Sequence, residues 1–379
     1  MRLTILLPCL NEEKTLSDVI QSIKDSLKEI KEETEILVAD NGSTDNSIAL
    51  CEKLGVRVAK IPERGYGAAL IGGIQESRGD WVIYADADGS YDFRNIIKFY
   101  NIICNDDCDM ILGSRFKGKI HNHAMPFLNR YLGTPLLNLI IRLLTSFKTT
   151  DCNSGMRAVK KETFHSLNLK CKGMEFASEM ILKAAISRVR YCEIPIDLYP
   201  DDRDRPPHLN RWSDGWRHLY LILMMGYRRL LMAPGFFFTV AGLSFLLWQL
   251  GGPYYIGGIY FGTHWMLGGL LLFAVGQPML SLGYIIDSFS SEKTTAEKLK
   301  THHLLSFLIL GAILLLIGIA IPTFYFFSWL STGMYGVYFI PKLILSLFFV
   351  TCGINVITFL LSREMILFFF EKYMYDKNS

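Results

Sequence analysis

Charge is what the last part of this 379-residue chain lacks. Of 39 Lys+Arg and 36 Asp+Glu, only 7 and 6 fall in residues 233–379, and the stretches 234–286 and 301–341 carry none. So long an uncharged sequence excludes a wholly soluble protein and a disordered one. A basic surplus is missing too: the formal net charge is +3, which argues against a nucleic-acid partner. Cysteines are few and scattered, at 9, 51, 104, 108, 152, 171, 192 and 352. Cys104 and Cys108 stand close, but no second Cys or His pair follows at zinc spacing, so reduced thiols are expected instead of a disulfide framework or a zinc site. A signal peptide is not apparent either. Met1-Arg2 runs into Leu3–Leu7 and then Pro8, too short for an apolar signal region, and the N-terminal domain is expected to stay cytosolic.

What the second part has instead is length without charge. Four segments, near 234–251, 264–286, 304–327 and 338–361, reach the roughly 20 apolar residues that a bilayer requires. Arg228 and Arg229 precede the first, Lys293, Lys298 and Lys300 lie between the second and third, and Arg363, Lys372 and Lys377 follow the fourth. The connections around 252–263 and 328–337 hold no Lys or Arg. The positive-inside rule therefore puts both termini and the middle loop on the cytoplasmic side of a multi-pass membrane protein. Two further stretches are amphipathic. In 213–231, Trp216, Leu219, Tyr220, Leu223 and Tyr227 recur at helical spacing beside Arg217, His218, Arg228 and Arg229, which predicts a helix lying in the membrane interface. In 126–147, Leu128, Leu132, Leu136, Leu139, Ile140 and Leu143 do the same beside Arg130 and Arg142, a pattern that suits either the interface or a domain core.

The first part reads as α/β. Apolar runs at Leu3–Leu7, Glu35–Ala39, Arg57–Ile61 and Trp81–Ala85 alternate with helical stretches, which predicts a Rossmann-like, mostly parallel sheet. Ligands of such sheets bind at the carboxyl ends of strands. There stand Pro8 to Glu12, Asp40-Asn41-Gly42-Ser43, and Asp86-Ala87-Asp88. Two carboxylates two residues apart at a strand end can hold a hard divalent cation and leave positions for phosphate oxygens. Arg64-Gly65-Tyr66-Gly67-Ala68-Ala69 opens a helix, and its small residues are expected to let backbone N–H groups approach a phosphate. No Gly-Lys-Ser/Thr follows, so it is not a Walker loop.

Taken in order, Leu7-Pro8-Cys9-Leu10-Asn11-Glu12, Ala39-Asp40-Asn41-Gly42-Ser43-Thr44-Asp45, the 64–69 motif, Asp86-Ala87-Asp88, Gly113-Ser114-Arg115 and Asp151-Cys152-Asn153-Ser154-Gly155-Met156-Arg157 resemble the family 2 glycosyltransferases. Within that family they look most like polyprenyl-phosphate sugar synthases of the dolichyl-phosphate mannose synthase and bactoprenol glucosyltransferase type. The resemblance covers about 1–210. It implies a GT-A domain there, which includes the possible interfacial helix at 126–147, while the hydropathy pattern adds an interfacial helix at 211–232 and an all-α transmembrane domain at 233–379.

The same resemblance implies inverting transfer of a monosaccharide from a UDP- or GDP-sugar to a polyprenyl phosphate. Pro8, Glu12 and Asp40 match positions that hold base and ribose, with Arg64, Gly67 and Asp86 beside the donor. Asp86 and Asp88 match ligands of Mg²⁺ or Mn²⁺. Arg115, Arg130 and Thr134 match contacts to the acceptor phosphate, and Arg203 and Arg205 compete with Arg211 for a later basic contact. Arg157 and Glu179 match active-site positions, with Glu179 the candidate base for an alcohol acceptor. Arg130 and Thr134 are four apart and share a helix face. Departures are Leu10 where an aromatic is frequent, Asn41 in place of a second acid, and Ser90 at a position that can assist a metal. His208-Leu209-Asn210-Arg211-Trp212 also echoes the Gln-x-x-Arg-Trp of processive synthases. A glycolipid or polysaccharide acceptor, and an inactive nucleotide-sugar-binding membrane protein, are the alternatives. Gly268, Gly269, Gly311 and Gly318 permit close helix contact, either between copies of the chain, which makes a homo-oligomer an expectation, or equally among the four spans.

Overall fold

The computed structural model describes residues 2–201, 211–249, 254–257, 259–290, 304–332 and 340–378. It divides into two compact units, residues 1–226 and 227–379.

The first unit is built on a seven-stranded sheet. In chain order it runs β1 (Arg2–Cys9), α1 (Leu16–Leu27), β2 (Glu33–Asp40), α2 (Ser47–Lys53), β3 (Arg57–Lys60), α3 (Tyr66–Glu76), β4 (Trp81–Tyr84), α4 (Asn95–Asn105) and β5 (Met110–Ser114). A π-helical turn (Asn129–Gly133) then leads into α5 (Thr134–Thr145), followed by β6 (Arg157–Lys160), α6 (Lys161–Leu167), α7 (Phe176–Ile186), β7 (Tyr191–Pro195) and α8 (Arg211–Met225). The strand order is β3-β2-β1-β4-β6-β5-β7, and every pairing is parallel except those of β6. β1, β4 and β5 are nearly continuous apolar runs because both faces are covered. One core includes Leu3, Ile5, Leu7, Ile20 and Phe99; the other includes Leu6, Leu37, Leu70, Tyr84 and Phe176.

α5 and α8 each bury one side and expose an apolar one. On α5, Ile141 is buried while Leu136, Leu139 and Leu143 are exposed, and the exposure continues back through Phe127, Leu128, Tyr131 and Leu132. On α8, Ile222 and His218 are buried while Trp216, Tyr220 and Met224, one turn apart, are exposed. His218, read from the sequence as part of the charged face, instead meets Ser178 Oγ at 2.7 Å through Nδ1. A buried polar group needs such a partner.

The second unit is helical: a π-helical turn (Arg228–Met232), α9 (Ala233–Gln249), a short hairpin of β8 (Tyr254–Ile256) and β9 (Ile259–Phe261), α10 (Thr263–Ser290), α11 (Leu304–Thr332) and α12 (Ile340–Asn378). Four segments, Arg228–Gln249, Thr263–Asp287, Ser306–Ser328 and Ile340–Glu364, are long and apolar enough to cross a membrane. They pack through glycines. A side chain at Gly242 would strike the backbone of Gly269 and Phe273, and one at Gly276 would strike Thr239, so α9 and α10 meet backbone to backbone. Gly311 and Gly318 do the same for α11 against Gly353 and Val350 of α12. Three of the four glycines that raised the expectation of an oligomer are thus used inside the chain, and among the described residues nothing lies against Gly268. Pro322 has no N–H to give the Gly318 carbonyl one turn back. Ser346 of α12 donates to that carbonyl at 2.6 Å instead.

Candidate active site

The carboxyl ends of β1, β2 and β4 come together, and the polar residues after them lock one another in place. The Asn41 N–H donates to Cys9 O, and Thr15 Oγ1 donates to Ala87 O at 2.7 Å. Glu12 N–H donates to Ser47 Oγ, and Asn11, in the left-handed region at φ 59°, accepts from Thr44 N–H. Asp40 is buried and accepts from the N–H groups of Gly42 and Ser43. Burial pushes the Cys9 thiol up to about 11, so it stays protonated.

Asn41, where the resemblance would place an acid, has a structural reason. Its Nδ2 donates to Glu63 O at 2.6 Å and its Oδ1 accepts from Gly65 N–H at 2.7 Å. Only an amide can do both, since a carboxylate has no donor. Arg64 donates to the carbonyls of Asn41 and Gly42. The 61–65 loop is thereby stitched to the end of β2.

The expectation that Gly65 and Gly67 open space for a phosphate is corrected. Gly65 has φ 131°, and a side chain there would run into the Lys172 carbonyl; one at Gly67 would run into Cys171 O and Phe176. The Ala68 N–H, one of the backbone donors at this helix start, donates to Lys172 O. The glycines serve close packing of the 171–173 backbone.

Asp86 and Asp88 stand at the end of β4. Asp86 Oδ1 accepts from Tyr66 Oη at 2.9 Å, a partner that the sequence reading missed although it lies inside the 64–69 motif. Burial, then the Asp86 charge, raises the Tyr66 phenol, so it stays a donor. A side chain at Gly155 would collide with Asp86 Oδ2, and Gly155 N–H is held by Tyr91 Oη at 2.8 Å. Asp88 is buried and accepts from both the N–H and the hydroxyl of Ser90, the latter at 2.6 Å. Among the described residues no group of three or more His, Cys, Asp or Glu could enclose a metal. Two carboxylates without a third protein ligand suit a cation of the Mg²⁺ type, which completes its shell with water and phosphate oxygens.

The three downstream residues are engaged. Arg115 makes a two-pronged ion pair with fully buried Asp151, both contacts at 2.7 Å, and its own N–H reaches the same carboxylate. Burial alone would weaken the guanidinium charge, but Asp151 outweighs it and the pKa rises. Arg157 is buried and donates to Ser154 O, Ala177 O and Cys152 O. Glu179 accepts from Lys170 and Cys171 N–H groups and pairs with Lys183 at 2.9 Å. α5 contributes through Asn138, which donates to Thr150 O and accepts from Cys152 N–H. Thr134, on the same side, is buried. Arg130, in the π-helical turn, has a different setting: among the described residues its guanidinium has only the Tyr131 ring, 5.4 Å away. Arg203, Arg205 and the 208–210 part of the His208–Trp212 echo lie outside the described residues.

Comparison with known proteins fits this layout. The model of glycosyl transferase family 2 matches residues 4–167. A low-salt glycan biosynthesis hexosyltransferase, Agl6 of Haloferax volcanii, is 31% identical over 345 residues, covering 87% of this chain and 81% of that one. A UDP-N-acetylglucosamine–dolichyl-phosphate N-acetylglucosaminyltransferase of Methanococcus voltae is 27% identical and covers 51% of this chain and 83% of its own. Among solved structures, a glucosyl-3-phosphoglycerate synthase of Mycobacterium tuberculosis, in complex with Mn²⁺, UDP and product, gives a TM-score of 0.47 at 20% identity, over 59% of this chain and 79% of that one. At that distance the likeness says nothing about ligands. The match to Agl6, which runs through both units, carries the assignment: the chain belongs to glycosyl transferase family 2, with a GT-A catalytic unit followed by four apolar helices.

Proposed function

We propose that the enzyme transfers a hexose from a nucleotide sugar, UDP- or GDP-linked, to a polyprenyl phosphate at the cytoplasmic membrane face, with inversion at the anomeric carbon. Arg130 is the observation that carries this reading. Among the described residues it is a cation with no carboxylate partner, on a segment whose neighbours Phe127, Leu128, Tyr131 and Leu132 are exposed. An anionic headgroup on an apolar chain is what such a surface can accept. The name of the Methanococcus voltae relative, a dolichyl-phosphate N-acetylglucosaminyltransferase, supports this acceptor class, and that of Agl6 supports the transfer of a hexose.

The chemistry suits the residues. A phosphate monoester, with a second pKa near about 6, is largely dianionic at neutral pH. One of its oxygens attacks the anomeric carbon, the bond from that carbon to the donor's diphosphate oxygen breaks, and the nucleoside diphosphate leaves. No proton has to be removed, so no general base is needed. Glu179 and Arg157, both spent on main-chain groups, are then positioning residues: Glu179 holds the 170–172 loop against α3, and Arg157 gathers the 152–154 loop beside Asp86. Arg115 positions Asp151 in the same way. Pro8, Glu12, Asp40 and Arg64 line the donor side of the strand ends. Asp86 and Asp88 would hold Mg²⁺ or Mn²⁺, which when bound offsets the charge of the leaving diphosphate.

The test is incubation of membranes containing the enzyme with labelled UDP- and GDP-sugars, with and without added polyprenyl phosphate, followed by lipid extraction. Mild-acid-labile label in the lipid phase that depends on the added phosphate is expected. Label found only in polymer would assign another acceptor.

A further inference from the structure

The acceptor that the preceding section proposes is a dianion, yet among the described residues Arg115 and Arg157 are committed internally and Arg130 supplies a single charge. We propose that His123 is a second hydrogen-bond donor for the lipid phosphate, and that it shares with Arg130 a pocket for the phosphate and the first units of the prenyl chain. This rests on the polyprenyl-phosphate reading of the site.

A cavity of about 500 Å³ is lined by His123, Met125, Pro126, Phe127, Arg130 and Tyr131. Its lining is of two kinds: two nitrogen-bearing side chains and a wall of methionine, proline and aromatic rings. A free inorganic anion has no use for the wall, and a sugar nucleotide would leave the apolar groups unmatched. An amphiphile with an anionic end uses both. Neither His123 nor Arg130 has a hydrogen-bonded or ion-paired side-chain partner among the described residues, so both are available to an incoming anion.

His123 is held for this. Its backbone is left-handed at φ 62°, a region that histidine enters more readily than most residues but that still has to be enforced. The enforcement comes from the neighbouring turn. His121 stacks on Tyr199 with ring centroids 4.3 Å apart, its N–H donates to Leu198 O, and Ala124 N–H closes the turn onto His121 O. Ile120 bridges to Leu198 as well. The turn is thereby fixed to the segment after β7, and His123 lies in it four residues before the helical segment that carries Arg130.

The test uses the full-length protein in nanodiscs and measures binding of farnesyl monophosphate by calorimetry. Asn replaces His123 because it accepts the left-handed backbone. His123→Asn is expected to weaken farnesyl monophosphate by roughly tenfold, the scale of one charge-assisted hydrogen bond, and to leave farnesol binding unchanged. His123→Lys is expected to restore part of the loss. A diazirine-bearing farnesyl phosphate should label the 121–131 peptide of the unmodified protein, which needs no variant to fold. Unchanged affinity in His123→Asn, or label confined elsewhere while the unmodified protein binds, overturns this proposal alone. Displacement of the probe by phosphatidylglycerol in the disc also overturns it, by making the pocket a general anionic-lipid site. If the unmodified protein fails to bind farnesyl monophosphate at all, the acceptor reading falls, and this inference with it.

Discussion

Asn41 shows how much a single side chain decides at the strand ends. Its amide bridges two segments that a carboxylate could not bridge, because the Glu63 carbonyl requires a donor. Asn41→Asp should therefore lower stability by about 1–3 kcal/mol, the cost of a lost hydrogen bond with the acceptor left unpaired. A thermal-melt series on the purified protein reads this directly, and an unshifted midpoint would remove the explanation for the departure from the family pattern. Arg115 behaves similarly. Its guanidinium neutralises Asp151, whose side chain is wholly buried, so Arg115→Met leaves a buried charge without its cation, held by the main-chain N–H of residue 115. The expected loss is about 3–5 kcal/mol. Stability at the parental level together with a selective rise in acceptor KM would return Arg115 to the phosphate role that the motif suggested. Asp88→Asn is the opposite case. The fold should survive, since Ser90 can still donate to the remaining carbonyl oxygen, while turnover should fall by roughly a hundredfold or more as one anionic ligand is lost. Full turnover of that variant in the presence of a chelator would exclude the metal.

At the level of elements, the strands β1 to β4 were legible because each is a short apolar run ending in polar residues, and the βα alternation fixes a parallel sheet. The antiparallel insertion of β6 between β4 and β5 was not, because the four residues Arg157–Lys160 pair with strands far away in sequence, and such a run does not reveal its direction. The site divides the same way. Asp86, Asp88 and Asp40 announce themselves as polar groups at strand ends. The commitment of Arg115 depends on Asp151, 36 residues downstream, and the contacts of Gly65 depend on a loop more than 100 residues away, so spacing within a motif cannot reveal either. Among the helices, the α11–α12 pair carries a feature that can be tested alone. Ser346 occupies the carbonyl that Pro322 leaves unbonded. Ser346→Ala should cost about 0.6–2 kcal/mol, in the range of polar contacts inside membranes. Pro322→Ala in the same background should recover it by returning an N–H to Gly318. A Ser346→Ala loss that persists in the double variant would mean that the hydroxyl serves something other than the proline gap.

For the molecule as a whole, the distribution of basic residues is the argument that remains to be tested. Lys and Arg flank the four apolar helices on alternate connections: Arg228 and Arg229 before the first, Lys293, Lys298 and Lys300 between second and third, Arg363 after the fourth. The hairpin that joins α9 to α10 has the other character. Tyr255, Tyr260, Phe261 and Trp265 cluster there with Trp248 and Phe245, as aromatic side chains do where a membrane meets water. The charge rule, with the access to nucleotide sugars that the proposed reaction requires, predicts one orientation, with the catalytic unit, both termini and the 287–303 loop cytoplasmic. Single cysteines placed at 255, 295 and 333 in a background without reactive thiols test it with a membrane-impermeant maleimide. Labelling of intact cells is expected at 255 and 333, and labelling at 295 only after the membrane is opened. Labelling of 295 from outside would invert the protein, placing Asp86 and Asp88 on the side of the membrane opposite the cytosolic nucleotide sugars, and the proposed reaction could not proceed as drawn.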